Sequence, residues 1–179
     1  MLPADILQFW FTELTPNKHF AKDAALDEAI RTRFGATLEA AARCELFAWR
    51  TTPEGRLAEV LVLDQFSRNV WRDTPRAFAQ DPLALVLAQE LVASGGDATL
   101  PPAQRSFAYM PYMHSESALV HAQAVQLMSQ PGLEDTLRFE LRHQAIIHRF
   151  GRYPHRNAIL GRPSTPEELA FLAEPGSSF

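Results

Sequence analysis

The fold is decided by one stretch of sequence, residues 53–71, which reads PEGRLAEVLVLDQFSRNVW. Thr52, followed by proline, is typical of a helix cap, and we predict the same for Asp81 before Pro82 and for Thr165 before Pro166. Thr165 and Glu168 also have the spacing of a capping box.

Three- and four-residue spacing then places five residues on one helix face: Leu57, Leu61, Asp64, Arg68 and Trp71. Asp64 and Arg68 therefore lie among apolar neighbours. We predict a central, buried helix with an Asp64–Arg68 ion pair, since burying either charge alone is costly. Such a pair can fix packing or bind a ligand, and both roles stay open.

The composition indicates a single helical domain. Of 179 residues, 46% are hydrophobic and 21% are charged, which are ordinary values for a globular protein. No long stretch alternates apolar and polar residues as a strand does. We expect one domain over residues 1–175 and a short tail over 176–179, which is either loose or docked through Phe179. The fold class is all-α, with eight helices predicted near residues 3–13, 23–47, 53–71, 82–94, 102–110, 115–130, 134–150 and 166–173.

Charge, cysteine content and hydropathy exclude several classes of protein. The net charge of −4 argues against nucleic acid as a partner. Cys44 is the single cysteine, so an internal disulfide is excluded, and we expect it to fill a small space in the core. The first residues do not resemble a signal peptide, and no apolar run reaches the roughly 20 residues that span a membrane. We expect a cytoplasmic protein without a membrane partner, in an oligomeric state that stays open.

Two further helices place polar residues next to apolar ones. His114, Ser115 and Glu116 open the helix near 115–130, where Ser115 is a candidate cap and Glu116 suits the positive end of the dipole. The functional alternative makes His114 and Glu116 an acid/base pair at a helix mouth. In the next helix, His143 lies on an apolar stripe, which suits a core histidine or a catalytic one.

Basic residues concentrate near the C-terminal end. Residues 141–166 contain five arginines and no acidic residue, whereas the other twelve Lys and Arg residues face all twenty-one acidic ones. Because a planar guanidinium binds carboxylate or phosphate oxygens two at a time, we predict an anion site. The alternative is that the arginines complement a helix end or bridge to acids elsewhere in the fold. The candidate ligands of the anion are Arg149, Arg152, His155, Arg156 and Asn157.

Sequence motifs for cofactors and metals are absent. The chain has no Gly-rich phosphate loop and no dinucleotide fingerprint, so we predict no cofactor. It has neither His-Glu-x-x-His nor paired cysteines, so we predict no metal. A metal site built from His114, Glu116 and one more histidine stays as an alternative.

Several motifs together resemble one bacterial family. They are ILQFWF at 6–11, DQFSRN at 64–69, PYMHSE at 111–116, RFGRYPHRN at 149–157 and LGRPSTPEE at 160–168. The chain is similar over nearly its whole length to the family catalogued as domain of unknown function 924. That resemblance implies an all-helical, tetratricopeptide-like arrangement of antiparallel helices and implies no activity. The sequence departs from the family pattern at Ser67, where we expect proline, and at Tyr153, where we expect phenylalanine.

Three of these motifs coincide with the polar clusters, so we predict that they form one pocket for a small anionic molecule, a carboxylate or a phosphate. Arg68 and Asn69 would join the arginine loop, residues 152–157, in binding it. Whether the protein is an enzyme stays open. If it is, the candidates for acid/base catalysis are Asp64, His114, Glu116 and His143. One alternative is a tetratricopeptide-like scaffold that binds a peptide or protein without catalysis. Another gives the polar groups a purely structural role.

Overall fold

The computed structural model describes residues 1–177, and this range is helical without strands. Two π-helical turns, Phe9–Glu13 and Val62–Phe66, extend α1 (Pro3–Gln8) and join α3 (Pro53–Leu61) to α4 (Ser67–Val70). With α3, the second π turn and α4 counted as one rod, the described range has eight helices, which confirms the all-α prediction. Phe179 lies outside the described residues. The α-helices of residues 1–177 are α1 (Pro3–Gln8), α2 (Ala24–Ala42), α3 (Pro53–Leu61), α4 (Ser67–Val70), α5 (Asp81–Ala93), α6 (Pro102–Met113), α7 (Ala118–Met128), α8 (Glu134–Phe150) and α9 (Pro166–Leu172).

The predicted starts of α3 and α9 are confirmed. Thr52 Oγ1 accepts a hydrogen bond from the Gly55 backbone N–H at 3.1 Å. Thr165 and Glu168 form the predicted capping box, in which each side chain accepts from the other residue's backbone N–H. The expectation that Asp81 caps α5 is wrong, because α5 already includes Asp81 and the preceding residue takes the cap position.

The central position of α3 is also confirmed. It packs against α1, α5 and α6, and its residues from Leu57 to Leu61 are buried. Trp10, Phe34 and Phe66 are fully buried beside it, with ring centroids of the last two 5.0 Å apart. The later helices pack in sequence, α5 on α6, α6 on α7 and α7 on α8. Whether these pairs stack in a tetratricopeptide-like way stays a prediction.

Three predicted helix boundaries are wrong. α2 ends at Ala42 instead of residue 47, and Cys44 beyond it has a φ of 59°. Cys44 is exposed, so it is not core filler. α6 continues through Pro111 to Met113, because its last seven residues are buried and packing outweighs the hydrogen bond that proline cannot make.

The third wrong boundary is the start of α7, which begins at Ala118 after Ser117 rather than at Ser115. Ser115 Oγ accepts a hydrogen bond from the Ser117 N–H at 3.2 Å and makes a local turn instead of the predicted helix cap. Residues 114–117 therefore form a short connection, and we call them the 114–117 loop. In the part of the chain that the structure describes, no helix has both the length and the apolar character that a membrane crossing requires.

Candidate functional site

The π-helical turn Val62–Phe66 carries Asp64 at the centre of the molecule. Asp64 is 1% exposed and forms the predicted ion pair with Arg68, with 3.1 Å between Oδ1 and Nη1. Its other oxygen, Oδ2, accepts a hydrogen bond from the Gln65 amide at 2.5 Å. A π-helical turn re-aims the side chains that follow it and is frequent at functional sites.

His114 completes the surroundings of Asp64. Its Nδ1 lies 2.7 Å from Asp64 Oδ1. Burial would raise the pKa of Asp64, but Arg68 and His114 outweigh it and hold that pKa well below its usual range. An ionised carboxylate only accepts, so Nδ1 must carry the proton. Burial, then the charge of Arg68, lowers the pKa of His114, so the ring is neutral near pH 7 and Nε2 is its basic nitrogen.

Asp81, at the start of α5, forms ion pairs with two arginines. Arg68 donates from Nη1 and Nη2 to its two carboxylate oxygens, both at 2.9 Å. Arg156 donates from Nη1 to Oδ2 at 3.2 Å. This arrangement joins α4, α5 and the Pro154–Arg156 turn around one carboxylate.

Arg156 is buried and has one hydrogen-bond donor without a partner in the described chain. Its side chain is 8% exposed, and its guanidinium lies 4.6 Å from the ring centroids of both Phe78 and Tyr153. Within residues 1–177, Nε is buried without a hydrogen-bond partner. Burial, then the charge of Arg68, lowers the pKa of Arg156, yet a guanidinium stays protonated at neutral pH. A buried cation that keeps one donor without a partner is suited to bind an anionic group.

His114 and Arg156 line the same cavity, which has a volume of about 340 Å³. This lies at the low end of the range of roughly 300–1,000 Å³ for small-molecule sites. Apolar side chains contribute to its wall, among them Phe78, Pro82, Leu85, Pro111 and Leu160. The polar residues of the wall are Asp81, His114, Ser115, Glu116 and Arg156.

Glu116 ties the 114–117 loop to the arginine loop. Its carboxylate accepts from Nη1 and Nη2 of Arg162 at 2.6 and 2.8 Å, and from the Tyr153 backbone N–H at 2.7 Å. Burial opposes ionisation of Glu116, but Arg162 and the N–H outweigh it and lower its pKa. Glu116 is therefore an ionised, partnered carboxylate at neutral pH. This geometry gives it no evident part in proton transfer with His114.

The structure brings together Asp64, Arg68, His114, Glu116 and Arg156 of the predicted site residues. Of these, His114, Glu116 and Arg156 line the cavity, while Asp64 contacts His114 and Arg68 contacts Asp81 from outside the wall. The other predicted residues have different surroundings. Asn69 donates to Asp27 at 2.8 Å, and His143 lies 2.8 Å from the Phe139 carbonyl. Burial lowers the pKa of His143 to about 3, and its ring packs edge-on against Tyr153. His155 packs against the same tyrosine, and burial lowers its pKa to about 4.

The remaining arginines follow the alternative of internal pairing. Arg149 pairs with Glu167 at 3.1 Å on the surface, and Arg152 with Glu168 at 2.6 Å. Asn157 is buried and donates to Ser164 and Glu168. Internal carboxylates thus account for most of the basic stretch.

Some residues of this region were not predicted from sequence. The sequence predicted Asp81 as a helix cap before Pro82, and no sequence pattern indicated that it binds Arg68 and Arg156. A second buried pair, His121 and Glu140, has 2.6 Å between Nδ1 and Oε1. His121 Nε2 lies 2.8 Å from the Ser115 carbonyl oxygen, so this buried pair contacts the backbone of the 114–117 loop. In residues 1–177, no three His, Cys, Asp or Glu side chains are grouped to hold a metal ion.

Comparisons with known proteins agree with this architecture. The model of a family described as a bacterial protein of unknown function, DUF924, matches residues 6–176. The chain belongs to this family. Its fold is similar to a solved structure described as a protein of unknown function from Agrobacterium tumefaciens, with 42% sequence identity, 96% of each chain covered and a TM-score of 0.90. No curated protein matches the chain. Membership of the family therefore fixes the fold and leaves the activity to be argued from the site.

Proposed function

We propose that the cavity binds a small molecule through an anionic group, a carboxylate or a phosphate, that contacts Arg156. The observation that carries this proposal is the buried guanidinium, whose Nε has no partner in residues 1–177 and which lines a cavity with apolar walls. Arg156 pairs with Asp81 only through Nη1, whereas Arg162 and Arg68 are each bound to a carboxylate through both terminal nitrogens, so Arg156 is the guanidinium best able to accept an anion. Phe78 and Tyr153 hold that guanidinium between their rings, which limits the entropy lost on binding.

If the protein is an enzyme, His114 is the general base. Asp64 fixes the tautomer and orientation of its ring, as a carboxylate does in hydrolytic triads. Nε2 would then accept a proton from the bound molecule, and the neutral state of the ring near pH 7 suits that role. Glu116 and His143, the other two candidates, are less suited because both already have internal partners.

The alternative is a scaffold that binds a peptide. It requires arginines that are exposed and spread over an open face. Arg152 and Arg162 are instead paired with Glu168 and Glu116, and Arg156 is buried. These pairings make us favour the small-molecule pocket. The proposal keeps the cytoplasm as the expected compartment.

Thermal unfolding with phosphate, sulfate, acetate and benzoate tests the pocket. A ligand at a hundred times its Kd stabilises by about 2.7 kcal/mol, which raises the Tm by roughly 5–10 °C for a domain of this size. We expect at least one anion to stabilise the wild type and Arg156→Gln to remove that effect. Arg149→Gln, on the surface and outside this cavity, is the matched control and should keep it.

A second measurement needs no variant and covers the case in which Arg156→Gln does not fold. Nitrogen and carbon chemical shifts of the His114 ring in the wild type should change when the anion is added. No stabilisation by any of the anions, together with unchanged His114 resonances, would refute the pocket.

A further inference from the structure

The charges on the cavity wall are unequal in number. Arg156 is the single cation among the wall residues that the structure describes, whereas Asp81 and Glu116 are both carboxylates. His114 does not alter this balance near pH 7, because burial and Arg68 lower its pKa. Arg68 and Arg162, outside the wall, compensate part of this carboxylate charge, but a ligand that is only anionic offers Asp81 and Glu116 no hydrogen-bond donor.

Both wall carboxylates keep capacity to accept. A carboxylate oxygen has two acceptor positions. Asp81 Oδ1 receives one hydrogen bond, from Arg68, and Glu116 Oε2 receives one, from Arg162. Each therefore has a position left for another donor. An ammonium group, with three N–H donors, uses such positions well.

Arg156 and these acceptors act on the same space. Arg156 and Glu116 line the same cavity of about 340 Å³. Arg156 is also hydrogen-bonded to Asp81 at 3.2 Å. Its side chain is more than nine-tenths buried and has a donor without a partner in residues 1–177. A cation, two carboxylates and an apolar wall thus surround one small volume.

We infer that the ligand of this cavity is a zwitterion of the amino-acid type, with a carboxylate on Arg156, an ammonium group on Glu116 or Asp81, and a small apolar side chain against Phe78 and Leu85. This inference rests on the proposed function and narrows its ligand class. It favours a carboxylate over a phosphate, because a carboxylate and an ammonium group leave the ligand without net charge, whereas a phosphate dianion would leave it negative beside Asp81 and Glu116.

Two matched sets of compounds test the inference. The first is L-leucine, 4-methylpentanoate, which lacks the amine, and 3-methylbutan-1-amine, which lacks the carboxylate. The second is L-phenylalanine with 3-phenylpropanoate and 2-phenylethylamine, which covers a larger side chain. Calorimetric titration of the full chain at pH 7 gives each Kd. In at least one set we expect the amino acid to bind at least about tenfold tighter than both relatives, the size of one charge-assisted hydrogen bond.

Variants assign the two ends of the ligand. Glu116→Gln keeps an oxygen that can accept from the Tyr153 N–H but loses the charge, and it should bring the Kd of the amino acid close to that of its deaminated relative. Asp81→Asn is the second such variant, in case the ammonium group lies at α5. Arg149→Gln, outside this cavity, should leave all six values unchanged.

The outcomes separate this inference from the proposed function. If the deaminated acid binds as tightly as the amino acid and Arg156→Gln abolishes binding of both, the anion pocket stands and the zwitterion is refuted. If an amine binds most tightly, both are refuted. If none of the six compounds binds, the zwitterion is refuted, and the anion series above decides the pocket.

Discussion

Asp64→Asn gives the most direct test of the charge network beneath the cavity. Asp64 is 1% exposed and contacts Gln65 at 2.5 Å, His114 at 2.7 Å and Arg68 at 3.1 Å. Removing one partner of a buried ion pair costs about 3–5 kcal/mol, since the other charge stays buried. Asn keeps the size and one acceptor, and Arg68 keeps its two bonds to Asp81. We therefore expect the lower end, a loss of about 3 kcal/mol in the free energy of unfolding.

Urea unfolding followed by circular dichroism measures this loss. In a separate thermal melt, the same loss should lower the Tm by roughly 6–12 °C, at about 2–4 °C per kcal/mol for a domain of this size. Glu39→Gln is the control, because the Glu39–Arg76 pair is as short as the Asp64–His114 contact, at 2.7 Å, but is exposed. Exposed pairs contribute about 0–1 kcal/mol. A loss in Asp64→Asn no larger than that in Glu39→Gln, with equal m values, would refute the buried network.

Three further predictions concern stability. Burial lowers the pKa of His143 to about 3 and that of His155 to about 4 in the folded protein. As the pH falls below about 6.5, both histidines therefore bind protons in the unfolded chain before they do so in the folded one, and the free energy of unfolding decreases. Between pH 5 and 6 each should contribute a slope approaching 1.4 kcal/mol per pH unit, and His143→Gln should remove one such share, as urea unfolding at several pH values would show; an unchanged slope would count against it. A Cβ at Gly55 would lie 1.9 Å from the Trp49 carbonyl oxygen but would meet nothing at Gly35 inside α2, so thermal melts should show a severe loss for Gly55→Ala and a gain of about 0.5–1 kcal/mol for Gly35→Ala. Ser67→Pro should change stability by less than about 1 kcal/mol, because its φ is −57° and its buried hydroxyl has no partner in the described chain; a loss above about 3 kcal/mol, typical of proline inside a helix, would contradict this.

Local signals predicted what lies within one helix. The four-residue spacing of Asp64 and Arg68 predicted their ion pair, and the Thr-Pro pairs predicted two helix starts, because both depend on residues one turn apart. The boundary at Pro111 was wrong for a related reason. A propensity against proline is a local effect, and the buried surroundings of α6 override it.

Contacts between helices could not be predicted from spacing. His114 reaches Asp64 from 50 positions away, and Arg156 reaches Asp81 from 75. Periodicity says which face of a helix is buried but not which residue of another helix lies opposite. The motifs placed His114 and Arg156 near a common site only as a hypothesis, and Asp81, which links Arg156 to Arg68, carried no signal of that role.

The pairing of the other arginines supports our proposal that Arg156 contacts the anionic group of the ligand. Arg152 binds Glu168 of α9, and Arg162 binds Glu116 of the 114–117 loop. These two ion pairs fix the chain before and after Arg156, whose own side chain is buried against Phe78 and Tyr153. A side chain fixed in this way loses little entropy when it binds. The basic stretch that the sequence suggested as a broad anion site is therefore better understood as a frame of paired guanidinium groups around Arg156, which we propose as the contact for the ligand's anionic group.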